Sequence, residues 1–224
     1  MKGKLIVFEG TDGAGKTTQI SLMARRLEEE GVSFRRVKFP RYGSPFALPV
    51  ERYLQGQLGK RPGDVSAYAA SVLYAVDRYA SYKEDWSGFY RSGGMILTDR
   101  YTTSNAVHQA AKLPEDEREE YLRWLFDLEY RRLELPEPDL VVYLDLPAEL
   151  SAQLLHRRQE ETHTAADIHE QDGDYLRRCR ENARDIAGRL GWRQVNCSRE
   201  GALRAPEEIH GELWALVQPL LEER

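Results

Sequence analysis

Strands alternating with helices along the chain, short apolar runs rich in β-branched residues, and a glycine-rich turn joining the first strand to the first helix predict an α/β fold. The expected architecture is three-layered, α/β/α, around a five-stranded parallel sheet. The 224 residues suit a single domain, 1–224, with a full core and a short mobile lid at about 157–171.

Leu5-Ile6-Val7-Phe8 is the first such run and reads as a strand buried on both faces. Ile20, Met23, Ala24 and Leu27 then recur at helical spacing. Between strand and helix lies Gly10-Thr11-Asp12-Gly13-Ala14-Gly15-Lys16-Thr17-Thr18, which carries G-x-x-x-x-G-K-[ST] in the context that makes it a phosphate-binding P-loop. Gly10, Gly13 and Gly15 let the backbone take φ > 0 and approach phosphate oxygens with no Cβ in the way. Successive amides then face one concavity at a helix N-terminus. Lys16 can bring a full charge to the β- and γ-phosphates, and the Thr17 hydroxyl is placed for Mg²⁺. The implied ligand is ATP or GTP, with Gly10, Asp12, Gly13, Ala14, Gly15, Lys16, Thr17 and Thr18 as its contacts.

Residues 33–39, with Phe34, Val37 and Phe39, read as the second strand, and Pro40 to Pro45 break it at the end where open α/β sheets place ligands. Arg41 there is either a phosphate contact or a solvated loop arginine. A long helix is predicted over 65–86, capped by Asp64. On it Tyr74 and Arg78 stand four apart and share a face, as a base platform with a guanidinium beside it or as packing. Residues 95–98 form the third strand, which ends in Asp99-Arg100-Tyr101. A carboxylate and a guanidinium at a strand tip beside the P-loop suit a Mg²⁺ site and a phosphate clamp. The helix expected over 102–112 carries Ser104, Asn105 and His108 toward the same mouth.

An amphipathic helix at 115–135 is stopped by Pro136, and 139–146 reads as a central strand. After a helix at 148–158, residues 159–171 are polar and aperiodic and read as a lid, with Arg157 and Arg158 at its hinge. Helix 173–190, strand 192–197 and helix 206–221 complete the alternation.

Composition narrows the partners. A 41% hydrophobic and 31% charged chain is ordinary for a globular protein, and a net charge of −5 argues against nucleic-acid binding. No apolar stretch approaches the ~20 residues of a membrane span. Cys179 and Cys197 lack metal-ligand spacing and read as buried, inert thiols of a cytoplasmic protein. His156, His163, His169 and His210 are assigned to the surface.

Taken together and in order, the P-loop, Tyr74-Ala75-Val76-Asp77-Arg78, Asp99-Arg100-Tyr101-Thr102-Thr103-Ser104-Asn105 and the lid ending in Asp167-Ile168-His169-Glu170 resemble the thymidylate kinase family over nearly the whole chain. The resemblance implies transfer of the γ-phosphoryl group of ATP to dTMP with Mg²⁺, and a homodimer with helix 65–86 as a possible interface. It implies that Tyr74 stacks on thymine and Arg78 bonds its O4, that Asp12 meets the sugar 3′-hydroxyl, and that Ser104 and Asn105 line the base pocket. Asp99 and Arg100 match the pair that serves Mg²⁺ and the acceptor phosphate. Thr17 and Asp99 are thus the expected metal residues; Lys16, Asp99, Arg100, Arg157 and Arg158 are the expected catalytic ones. The last two enter because some members carry an arginine at the position of Gly13 and others supply it from the lid. Where relatives often have tyrosine near the sugar C2′, this chain has His108.

Two other readings compete. A deoxynucleoside kinase needs a base for a neutral hydroxyl, and Glu9 stands close to the place such a base occupies. A GTP-dependent switch would carry an N-K-x-D guanine reader, which does not occur in the sequence.

Overall fold

The computed structural model describes residues 2–162 and 167–222, without the side chains of 156–162. Strand β1 (Lys4–Glu9) leads through the P-loop into helix α1 (Lys16–Glu29), followed by β2 (Phe34–Lys38) and the short α2 (Leu48–Leu54). After a 3₁₀ turn at Pro62–Asp64 come α3 (Ala67–Ser81), a π turn at Tyr82–Trp86, and α4 (Ser87–Arg91). Next are β3 (Met95–Asp99), α5 (Thr102–His108), 3₁₀ turns at Ala110–Lys112 and Glu115–Glu117, and α6 (Arg118–Phe126) with a π turn at Asp127–Arg132. The chain closes with β4 (Leu140–Asp145), α7 (Ala148–Thr162), α8 (Gly173–Arg189), β5 (Arg193–Asn196), the small hairpin of β6 (Ser198–Arg199) and β7 (Ala202–Leu203), and α9 (Pro206–Glu222).

The five main strands form one parallel sheet in the order β2-β3-β1-β4-β5. Alternation along β1 divides the core between the two faces of the sheet. Leu5 and Val7 pack with Trp86, Ala106, Leu122 and Ile186 on one side; Ile6 and Phe8 pack with Met23, Leu27 and Leu213 on the other. Helices thus cover both faces, as the sequence predicts. β1 lies between β3 and β4, so the chain leaves it toward opposite edges, and this is where a doubly wound sheet opens a crevice at its C-terminal ends. The P-loop and the tip of β3 both end there.

Three expectations need correction. The cap of α3 is Ser66, whose Oγ accepts from Ala69 N at 3.1 Å; Asp64 instead closes the preceding turn by accepting from Lys60 N and Arg61 N at 2.7 and 3.0 Å. The helices expected over 65–86, 102–112 and 115–135 are not continuous, because 3₁₀ and π turns re-register each one. α2 and the hairpin β6-β7 were not foreseen, α2 because a heptapeptide carries too little periodicity to show. α7 runs to Thr162, past the predicted start of the lid, and 163–166 lie outside the described residues.

A third, smaller cluster sits apart from the two core layers. Val50, Tyr53 and Leu54 of α2, Ala70 of α3 and Ile168 pack together, and Ile168 N donates to Leu54 O at 3.1 Å. This joins α2 to the turn that follows the undescribed segment, and both face the crevice.

Candidate active site

The crevice is a cavity of about 1060 Å³ that runs from the P-loop to Tyr74. At one end Gly13 and Gly15 take φ of +82° and +83°, and Gly15 is the left-handed residue from which α1 starts. A Cβ on Gly13 would meet Ser151 O at 2.7 Å, so α7 packs directly on the loop, and Ser151 Oγ donates to Asp12 O. Lys16 folds back, with Nζ donating to Gly10 O at 2.8 Å and Thr11 O at 3.1 Å. Burial, and then Arg100, push its ammonium down to about 8 against the pull of Asp12 and Asp99.

Arg100 lies at the centre. It is one of three non-glycine residues described with positive φ, at +68°, a conformation that costs about 1–3 kcal/mol unless its surroundings impose it. Here they do: its N–H donates to Phe8 O at 3.2 Å and its carbonyl accepts from Thr98 Oγ1 at 2.6 Å. The turn aims the guanidinium into the cavity, where Nη2 donates to Asp12 Oδ1 at 2.7 Å and Nη1 to His108 Nε2 at 3.0 Å. Burial alone would raise the Asp12 carboxyl, but Arg100 and then Lys16 overcome it and hold the group well below the usual carboxylate range. His108 is held well below the ordinary imidazole value, first by burial and then by Arg100, so it is neutral and accepts at Nε2.

Asp99 ends β3, and its Oδ1 is buried without a hydrogen-bond partner. Mg²⁺ binds through one or two protein oxygens and keeps several waters, so an orphaned carboxylate oxygen beside a P-loop threonine fits it. No group of three or more His, Cys, Asp or Glu that could hold a metal occurs among the described residues.

The cavity wall brings together Asp12, Gly13, Ala14, Gly15, Lys16, Thr17, Thr18, Tyr74, Asp99, Arg100, Ser104 and His108 of the residues singled out in the sequence. Four lie off it. The carbonyl of Gly10 holds Lys16. Arg41 is committed to α3, with its N–H on Asp77 Oδ2 at 2.8 Å, Nε on Asp77 Oδ1 at 2.9 Å and Nη1 on Glu84 at 3.3 Å. Arg78 is 1% exposed and pairs with Glu129, which is 0% exposed, through Nε at 2.6 Å and Nη2 at 2.5 Å. Asn105 Nδ2 donates to Ser71 O at 3.3 Å and Glu129 Oε1 at 3.5 Å. The side chains of Arg157 and Arg158 lie outside the described residues.

Glu9 is also closed off. Its carboxylate accepts from Thr103 Oγ1 at 2.5 Å and from Ser104 Oγ at 2.8 Å, and burial pushes it up. It anchors the start of α5 and does not line the cavity, which does not favour the deoxynucleoside kinase reading. His169, assigned to the surface, is 5% exposed and stacks on His108, with ring centroids 5.9 Å apart. The signal for Glu129 was present: it follows Leu122 and Leu125 by seven and four residues on the buried side of its helix. Nothing local in the sequence marks Lys38, Tyr42 or Lys60, which also line the cavity.

A P-loop at the switch point of a parallel sheet, facing a second recess across an arginine clamp, defines a nucleotide phosphotransferase. The thymidylate kinase family model matches residues 8–203. A thymidylate kinase of Mycobacterium tuberculosis is 34% identical over 92% of this chain and 99% of its own length. A probable thymidylate kinase of Thermococcus onnurineus is 30% identical over 98% and 99%. The solved thymidylate kinase of Candida albicans superposes with a TM-score of 0.72, at 20% identity, over 100% of this chain and 94% of that one. The chain belongs to the thymidylate kinase family.

Proposed function

We propose that the chain transfers the γ-phosphoryl group of ATP to dTMP, giving dTDP and ADP. The observation that carries this reading is the continuity of one cavity from the P-loop amides to Tyr74 with Arg100 between them. The attacking group is a phosphate oxygen whose second pKa is ~6, already ionised at neutral pH, so the site needs charge neutralisation and alignment rather than a base. Lys16 leaves the carbonyls of Gly10 and Thr11 for the β- and γ-phosphates of ATP. Arg100 holds the acceptor phosphate, and Asp12 keeps the guanidinium oriented and meets the acceptor sugar. Thr17 and Asp99 would hold Mg²⁺, which supplies charge neutralisation at the transferring phosphoryl group.

Tyr74 supplies the base platform. Glu129 occupies Nε and Nη2 of Arg78, and among the described residues Nη1 takes no hydrogen bond, so a base carbonyl reaching this side meets a guanidinium already fixed in plane. Residues 157–171 serve as the lid, with Arg157 or Arg158 as the cation delivered on closure and Asp167 to Gln171 as its fixed end on the cavity wall. Val72, Val76 and Tyr79 are 43%, 43% and 38% exposed at helical spacing on α3, and we assign this stripe to a second copy of the chain. No described helix is long and apolar enough to cross a membrane, and we place the enzyme in the cytoplasm.

The test is a panel of nucleoside monophosphates and thymidine offered as acceptors with ATP and Mg²⁺. Turnover is expected with dTMP, less with dUMP and none with thymidine. Transfer to thymidine alone would replace this reading with a nucleoside kinase.

A further inference from the structure

Lys112 and Tyr53 take no part in the mechanism above and do not line the cavity. A continuous path nonetheless connects them to Arg100. Lys112 Nζ donates to Tyr53 Oη at 2.8 Å and to Val65 O at 3.1 Å. Tyr53 Oη lies 2.8 Å from His169 Nε2, the His169 ring stacks on His108 with planes 16° apart, and His108 Nε2 accepts from Arg100. An ammonium and a guanidinium can only donate. With Tyr53 Oη accepting from Lys112, we assign its own O–H as donor to His169 Nε2, while His108 Nε2 accepts from Arg100 at the far end. These directions assign both rings to the neutral tautomer with the proton on Nδ1. The Nδ1 of His108 is buried without a partner, so the contacts with Arg100 and with the His169 face orient that ring.

We propose that Lys112 and Tyr53 are positioning residues for the Arg100 clamp, acting through the His169–His108 stack. The inference rests on the kinase reading for its consequence but not for its geometry. Four separate pieces of chain meet in this path: α2, the turn at 167–171, α5 with its 3₁₀ extension, and the tip of β3. The clamp is therefore correctly aimed only when α2 and the end of the lid are seated. His169 is faced by Lys112, Tyr53, Tyr175, Arg100 and Asp12; His108 by Arg100, Asp12, Lys16, Tyr175 and His169. Burial and then the Lys112 charge press His169 down to about 3, and a protonated ring in this stack would repel Arg100.

The test uses the full chain with Tyr53→Phe, Lys112→Met and Lys112→Arg, each followed by steady-state kinetics and by NMR of ¹⁵N-labelled histidines in the unliganded protein. Tyr53→Phe and Lys112→Met should each lower kcat/KM for dTMP about tenfold and leave KM for ATP and the melting temperature unchanged. Lys112→Arg should restore most of the loss. In the wild type both histidines should carry their proton on Nδ1 and be neutral at neutral pH, whereas in Lys112→Met His169 should titrate at a higher pH than in the wild type. Wild-type histidine spectra in both variants, or equal losses for both substrates with a lower melting temperature, would overturn the proposal. The spectra need no turnover, so the absence of dTMP kinase activity would undo the functional reading and leave the relay standing or falling on the histidines alone.

Discussion

Two arginines of this protein form ion pairs with carboxylates and do opposite things with them. Arg100 and Asp12 meet at 2.7 Å with side chains 15% and 24% exposed, on the wall of the cavity. Arg78 and Glu129 meet at 2.5 Å with side chains 1% and 0% exposed, between α3 and the π turn after α6. The first pair is reachable, shared with a neutral histidine and set on a backbone held at positive φ, so whatever enters the cavity can compete for the guanidinium. The second is sealed and further tied by Thr102 Oγ1, which donates to Glu129 Oε2 at 2.8 Å. Its two charges were desolvated on folding and neutralise each other, which leaves only Nη1 of Arg78 without a hydrogen bond among the described residues. The identity of a pair therefore says little about its role; what matters is whether water or substrate can compete for it.

The largest expected effect lies in the sealed pair. Arg78→Met leaves Glu129 charged and alone in the core and should lower stability by about 3–5 kcal/mol, measured by denaturant unfolding. Adding Glu129→Leu should recover most of that loss, so a double variant no more stable than the single one would break the comparison. A loss of dTMP binding in Arg78→Met by itself cannot be assigned to thymine contact, which is why the double variant carries the binding measurement.

The open pair should behave in reverse. Arg100→Met should reduce kcat/KM for dTMP by about 10²–10³, as expected for removal of an oriented charge at a transferring phosphate, with a smaller loss of stability than Arg78→Met. Unfolding of this variant at ambient temperature would show that the clamp is structural after all.

Acid provides the smallest and sharpest test. His108 and His169 are depressed in the folded protein, so the unfolded chain binds more protons below its ordinary imidazole value and stability falls as pH drops. Asp167, pushed up to about 6 by burial, works the other way, since it takes a proton in the folded state first. The net expectation is a loss of about 1–2 kcal/mol between pH 7 and 5.5, followed by denaturant unfolding. His169→Phe should flatten part of that slope.

Much of the P-loop half of the cavity was legible because its residues are contiguous. The P-loop and Asp99-Arg100 each occupy one stretch, and the geometry that they need is set by the local turn: glycines at positive φ, a helix N-terminus, a strand tip. The other half depends on partners far apart in the chain. Arg78 and Glu129 are separated by 51 residues, and Tyr53 and His169 by 116. Arg41 shows the limit from the other side: its place at the end of β2 was read correctly, yet Asp77 of α3 takes it out of the cavity.

The succession of the five main strands, the glycine turn and its lysine, and the carboxylate and guanidinium at the tip of β3 were all determined by the sequence alone, since each depends on spacing along one piece of chain. Which charges face the cavity and which are sealed, that Glu9 is tied to Thr103 and Ser104, and that two histidines are buried and neutral were decided only when α2, α3, α5, α6 and the turn at 167–171 packed together. Exposure and electrostatic partnership are properties of the assembled surfaces, and a linear pattern does not contain them.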